Sequence, residues 1–165
     1  MKPSPFLFNN LRLSRRTGLY SLALLLVLSS PFAFLHEMGH AIICVSEGFT
    51  FTLFFGLAAF GLECMGEPVN SMLYHMFGGL FAAMVAAIPF VFYSKIKRYP
   101  FIIIAFLTVL TGHAINAAVE TLMFDYYITQ TKYASLFVLI PSLAAFFIYL
   151  FYFGTVKSPR VMKSN

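Results

Sequence analysis

Charge is what this chain has least of. Asp, Glu, Lys and Arg supply 10% of its 165 residues, whereas 60% are apolar and the mean hydropathy is +0.84. Soluble domains carry about a quarter charged residues, so that class is excluded and a multi-pass membrane protein is expected. Cysteine is nearly as scarce: Cys44 and Cys64 fall on one expected side of the membrane, yet two cysteines imply no disulfide framework. Internal repeats and low-complexity tracts are missing, and so is room for a second domain. Residues 1–165 therefore read as a single integral membrane domain. No A-x-A cleavage site follows the apolar run LYSLALLLVL, and apolar character continues through AIICV, so this segment is expected to stay as a first span.

What the chain does have is long apolar runs. Four of them, at roughly 19–45, 72–93, 101–124 and 134–154, each supply the ~20 helical residues that cross a bilayer. The expected fold is an all-α membrane protein of about four transmembrane helices. Lys2, Arg12, Arg15 and Arg16 precede the first run; Lys95, Lys97 and Arg98 separate the second and third; Lys157, Arg160 and Lys163 follow the fourth. Four crossings put these segments on one side, which the positive-inside rule makes cytoplasmic. Residues 1–17 and 155–165 are then basic cytoplasmic tails. The net charge of +5 is distributed around spans rather than gathered on a soluble face, so the expected partner is the lipid bilayer and not nucleic acid.

Between the first two spans, FTFTLFF alternates at Phe49, Thr50, Phe51 and Thr52, the period of a strand. A short β-hairpin or re-entrant loop is expected at 48–60, or else an apolar loop on the membrane surface. The second span begins YHMFGGLFAAMVAA, whose Gly78, Gly79, Ala82, Ala83, Ala86 and Ala87 make a face of small residues for close helix packing. All six acidic residues lie toward the side opposite the basic ones, of which Lys132 alone falls elsewhere. Glu47, Glu63 and Glu67 read as loop residues; Glu37, Glu120 and Asp125 ask for another explanation.

That explanation begins at His36, Glu37, Met38, Gly39 and His40, an H-E-x-x-H run inside an apolar helix. Residues four apart share a helical face, so two imidazoles can grip one ion with the glutamate beside it. Ionisable groups within a span cost about 2.5 kcal/mol or more each, which suppresses accidental occurrences. Catalytic zinc takes three protein ligands and leaves a fourth position for water, with a neighbouring carboxylate as general base. One Zn2+ per chain is expected on His36 and His40, with Glu37 catalytic. At a rise of about 1.5 Å per residue, His36 lies ~30 Å beyond Arg16 and Glu120 ~30 Å beyond Pro100, at one level. Glu120 and Asp125 are both candidates for the third ligand. His113 and Asn116 share the face of Glu120 and are candidate substrate-binding residues, with interhelical hydrogen bonding as the other reading. His75 reads as an interfacial histidine.

These features together resemble the site-2 protease family of intramembrane zinc metalloproteases: HEMGHAI in a membrane helix, a following loop with strand character, a second helix with GGLFAA, and a third bearing Asn and acidic residues. The resemblance covers about residues 20–128. It implies an endopeptidase that hydrolyses membrane-embedded or membrane-proximal protein substrates, with Asn116 helping to hold the substrate strand; the charge topology and helix depth above put the site toward the non-cytoplasmic side. The family pattern N-x-x-P-x-x-x-x-D-G is met here by Asn116 and Asp125, without the proline and with Tyr126 for the glycine. Two other classes stay open at this stage. One is a metal-binding or structural subunit of a membrane complex that keeps a protease-like fold; the other is a transporter, against which stands the lack of any inverted repeat.

Overall fold

A computed structural model describes residues 11–55, 60–123 and 131–157. Four helices in it are long and apolar enough to cross a membrane. In chain order the elements are β1 (Leu11–Leu13), α1 (Arg15–Ser46), β2 (Phe51–Phe55), β3 (Phe60–Cys64), α2 (Ser71–Val91), α3 (Tyr93–Ile96), α4 (Pro100–Leu122), α5 (Thr131–Gly154) and β4 (Thr155–Lys157). The chain is an all-α multi-pass membrane protein with a small hairpin, as its hydropathy requires.

Local chemistry sets the element ends. The Ser14 hydroxyl accepts a hydrogen bond from the Thr17 amide at 3.3 Å and caps α1, which begins four residues earlier than the apolar run. Gly48, at φ +87°, turns the chain out of α1, a conformation that glycine adopts without strain. The Glu47 carboxylate then accepts from the amides of Val69 (2.6 Å) and Asn70 (3.2 Å), and Asn70 caps α2 by accepting from Leu73 N–H at 3.0 Å. Glu47 is therefore no mere loop residue; it ties the end of α1 to the start of α2. Pro100 begins α4 at a position where its missing N–H costs nothing.

The expected strand character is present as the antiparallel β2–β3 hairpin, in register Phe51↔Cys64 through Phe55↔Phe60. Two features go beyond the sequence reading. The stretches read as basic tails contribute structure: β1 pairs antiparallel with β4, Leu11↔Lys157 through Leu13↔Thr155, and Ser14 N–H donates to Gly154 O at 3.0 Å. Cys44 and Cys64 are joined in a disulfide that fastens β3 to the end of α1. No framework of several bridges was needed for this one, because hairpin and helix bring the two side chains together.

Helix α4 is the centre of the bundle, packing on α1, α2 and α5, while α1 and α5 barely touch. Phe32 of α1, Ala82 and Ala86 of α2 and Val109 of α4 form one core cluster. A Cβ on Gly39 would meet the α2 backbone at Phe77 and Gly78, and one on Gly79 would meet α4 at His113 and Ala117. Glycine is thus what lets three backbones approach, as packing in lipid requires. Large apolar side chains such as Leu26, Val27, Val91 and Ile148 point outward, whereas buried polar groups include His36, His40 and Glu120. That distribution suits lipid as solvent and would fail in water.

Candidate metal centre

His36 and His40 lie on one face of α1, one turn apart, and Glu120 of α4 reaches them across the interface. His36 Nε2 is 3.1 Å from His40 Nε2 and 3.2 Å from Glu120 Oε1, and His40 Nε2 is 3.6 Å from Glu120 Oε2. One ligand atom from each residue falls within 4.8 Å of the others, and all three residues are buried, each 7–8% exposed. Two neutral imidazole nitrogens at 3.1 Å repel through their lone pairs unless a proton or a cation stands between them.

The surroundings prepare these atoms for a ligand role. His40 Nδ1 donates to the Tyr74 carbonyl at 2.8 Å, which leaves the Nε2 lone pair directed at Glu120. The Tyr74 ring packs on the same imidazole at 4.9 Å. Asn116 Nδ2 donates to Glu120 Oε1 at 3.1 Å and lies 3.4 Å from His36 Nδ1. Glu120 Oε2 is buried and has no hydrogen-bond partner among the described residues. An oxygen so placed is costly unless a cation accepts it. Two nitrogens and a carboxylate, one of whose oxygens is unsatisfied, converge on one point and fit a divalent ion, and that donor set suits zinc among several metals.

Gly78 makes the cluster sterically feasible. A Cβ at that position would fall on the His40 ring. Sequence reading singled out Gly78 for helix packing and assigned it no chemistry; the structure adds that it clears the space in which His40 turns. Tyr74 stands four residues before Gly78 on the same helical face, so the pair was in principle findable once α2 was known to face the motif.

Glu37 is half-buried beside the cluster without joining it, within electrostatic reach of His36, His40 and Glu120. Of the two candidates for the third ligand, Glu120 stands in the cluster and Asp125 lies outside the described residues. His113 is not one of the clustered donors. Its ring sits between Phe32 and His36, at 6.0 and 5.7 Å, and its Nδ1 is buried with no hydrogen-bond partner among the described residues. His75 packs edge-on against Tyr74 and is likewise outside the donor group.

A cavity of about 560 Å³ opens where α1 and α5 part. Leu25, Phe32, Val109 and Leu143 make its walls largely apolar, and the polar side chains that line it are Ser29, Thr108, His113, Asn116 and Ser142. Both residues expected to touch substrate therefore border one groove, and Asn116 also hydrogen-bonds Glu120 of the cluster. No protein-family model, curated protein or solved structure matches this chain.

Proposed function

We propose that this protein is a zinc-dependent intramembrane endopeptidase. The single observation that carries the reading is the convergence of His36, His40 and Glu120 on one point inside an apolar bundle, with Glu37 adjacent. The three residues would hold the ion. When bound, zinc supplies Lewis acidity, which polarises a peptide carbonyl and acidifies water enough to attack it at neutral pH. Glu37 takes the water's proton and passes it to the leaving amine, as a general base that becomes a general acid. Asn116, already hydrogen-bonded to Glu120, orients that carboxylate and offers its amide to the substrate strand. His113 lines the groove by which that strand approaches. The substrate must arrive locally unwound, because a helix keeps its carbonyls hydrogen-bonded and shielded.

The orientation follows the same reading. Disulfides persist in oxidising compartments, and Cys44–Cys64 sits at the end of α1 remote from Arg15 and Arg16. Basic residues at the β1–β4 end and around α3 favour the cytoplasm. Both arguments support cytoplasmic termini with the metal centre toward the opposite face.

In purified, zinc-loaded protein, Glu37→Gln is expected to keep about one zinc per chain and to slow cleavage of a reporter transmembrane helix by roughly 10²-fold or more. His40→Ala is expected to lose the zinc itself. Wild-type turnover in Glu37→Gln rules the mechanism out. Zinc bound at full stoichiometry with no cleavage of any offered helix favours a metal-binding subunit instead.

A further inference from the structure

Helices α1 and α4 run side by side in the same direction: His36 and His40 meet Glu120 near their C-terminal ends, and Tyr20 meets Phe101 at their starts. Cations gather at those starts with nothing to neutralise them. Among the described residues the ion pairs are those of His36 and His40 with Glu120, and no carboxylate reaches Arg15, Arg16, Lys95, Lys97 or Arg98. All of these cations are exposed. The first turns of α1 and α4 hold no acid either. Lys95 is engaged within its own segment, its ammonium 5.7 Å from the centre of the Phe92 ring.

A chain of rings fixes where two of the others lie. Tyr20 of α1 meets Phe101 of α4 at 5.7 Å, and Phe101 meets Tyr99 at 6.2 Å, so aromatic contacts bridge the two helix starts. Arg16 stands one turn before Tyr20 on the same face of α1, ~6 Å nearer the helix start. Arg98 precedes Phe101 with no more than ~10 Å of chain between them. Tyr20 and Tyr99 remain open, at 59% and 52% exposure. Open tyrosines beside arginines at the ends of apolar spans lie at the level of lipid headgroups.

We propose that Arg16 and Arg98, with Tyr20 and Tyr99 between them, bind the headgroup of an anionic phospholipid at the seam of α1 and α4. The lipid phosphate accepts charge-assisted hydrogen bonds from the guanidinium groups. A zwitterionic headgroup carries its own cation to the same phosphate and gains less. Basic pockets between membrane helices hold anionic headgroups in this way. The inference is independent of the peptidase reading, since it concerns the opposite end of the same two helices. Charge that serves topology alone acts by its number and its side of the membrane. A headgroup site acts by place.

The chain has no Trp, so Tyr20→Trp supplies a single fluorophore at the seam. Full-length Tyr20→Trp protein is reconstituted in phosphatidylcholine vesicles that contain either dibrominated phosphatidylglycerol or dibrominated phosphatidylcholine, and quenching gives the relative affinity of the two lipids beside the indole. Phosphatidylglycerol is expected to be preferred about 10-fold or more. Adding Arg16→Gln and Arg98→Gln is expected to bring the preference within about two-fold, whereas Arg15→Gln with Lys95→Gln, which removes the same net charge, keeps at least about half of it. Tyr99→Trp repeats the series from the other side of the seam and decides the matter if the first replacement disturbs the bundle. Equal losses in the two charge-matched pairs, or no preference in the parent protein, overturn the site. Recovery of fluorescence with excess inorganic phosphate at constant ionic strength also overturns it, because the anion held there is then a soluble one.

Discussion

The imidazole of His40 meets three helices at once: its own α1, the Tyr74 carbonyl of α2 and the Glu120 carboxylate of α4. Such a ring has little freedom to accommodate an intruding atom, and the space it uses exists because residue 78 has no Cβ. Gly78→Ala is therefore expected to weaken zinc binding by about 10–100-fold, the cost seen when the support of a metal ligand is lost; competition with a chelator of known affinity measures it. Gly79→Ala, whose Cβ meets the α4 backbone instead, is expected to cost about 1–3 kcal/mol of bundle stability through overpacking. The ratio of the two effects on zinc affinity separates ligand placement from helix packing. At this scale the sequence revealed the residues whose chemistry is rare in lipid. His36 and His40 declared themselves by spacing, and depth along a fixed helical rise made Glu120 one of two candidates beside Asp125, so the side chains that cluster were all among those named beforehand. Gly78 gave its position but not its purpose, since a missing side chain says nothing about which neighbour will fill the space.

Among the elements near the site, the connection from α1 to α2 is held by one side chain. The α1–α2 link is tied at both ends by Glu47, whose carboxylate accepts two main-chain amides. Hydrogen bonds to a charged group contribute about 1.5–3 kcal/mol each, and partial solvent exposure lowers that figure here. Glu47→Ala is expected to destabilise the protein by about 1–2 kcal/mol without changing zinc stoichiometry, as read by thermal unfolding in detergent. Alternating Phe and Thr announced the hairpin because a period of two is visible in a few residues, and helix limits came within a few positions because hydropathy marks where lipid ends. The Glu47 contacts were invisible for the opposite reason: they join residues 22 and 23 positions apart through geometry that no local pattern encodes. The same holds for the disulfide, whose partners meet only after the hairpin has folded back on α1.

Taken whole, the molecule is a three-helix core of α1, α2 and α4 with α5 attached through α4 alone over most of its length. The gap left between α1 and α5 is the groove that ends at His113 and Asn116. If a substrate segment lies there, obstructing it must slow catalysis without disturbing the metal. Ala33→Phe, on the α1 wall of that groove, is expected to lower kcat/KM by about 10-fold or more, chiefly through KM, at unchanged zinc content. Wild-type kcat/KM in that variant excludes the groove as the route. The number of crossings and the sharing of one side by both basic tails were legible in the sequence. The joining of those tails was not, because three residues of backbone pairing leave no hydropathy signal.

That β1–β4 pairing has a practical corollary for topology mapping. Since Leu13 and Thr155 face each other across a two-stranded ribbon, reporters fused before residue 11 and after residue 157 must light up in the same compartment. A short peptide bridge between those points would turn the chain into a covalent ring without rerouting a single helix.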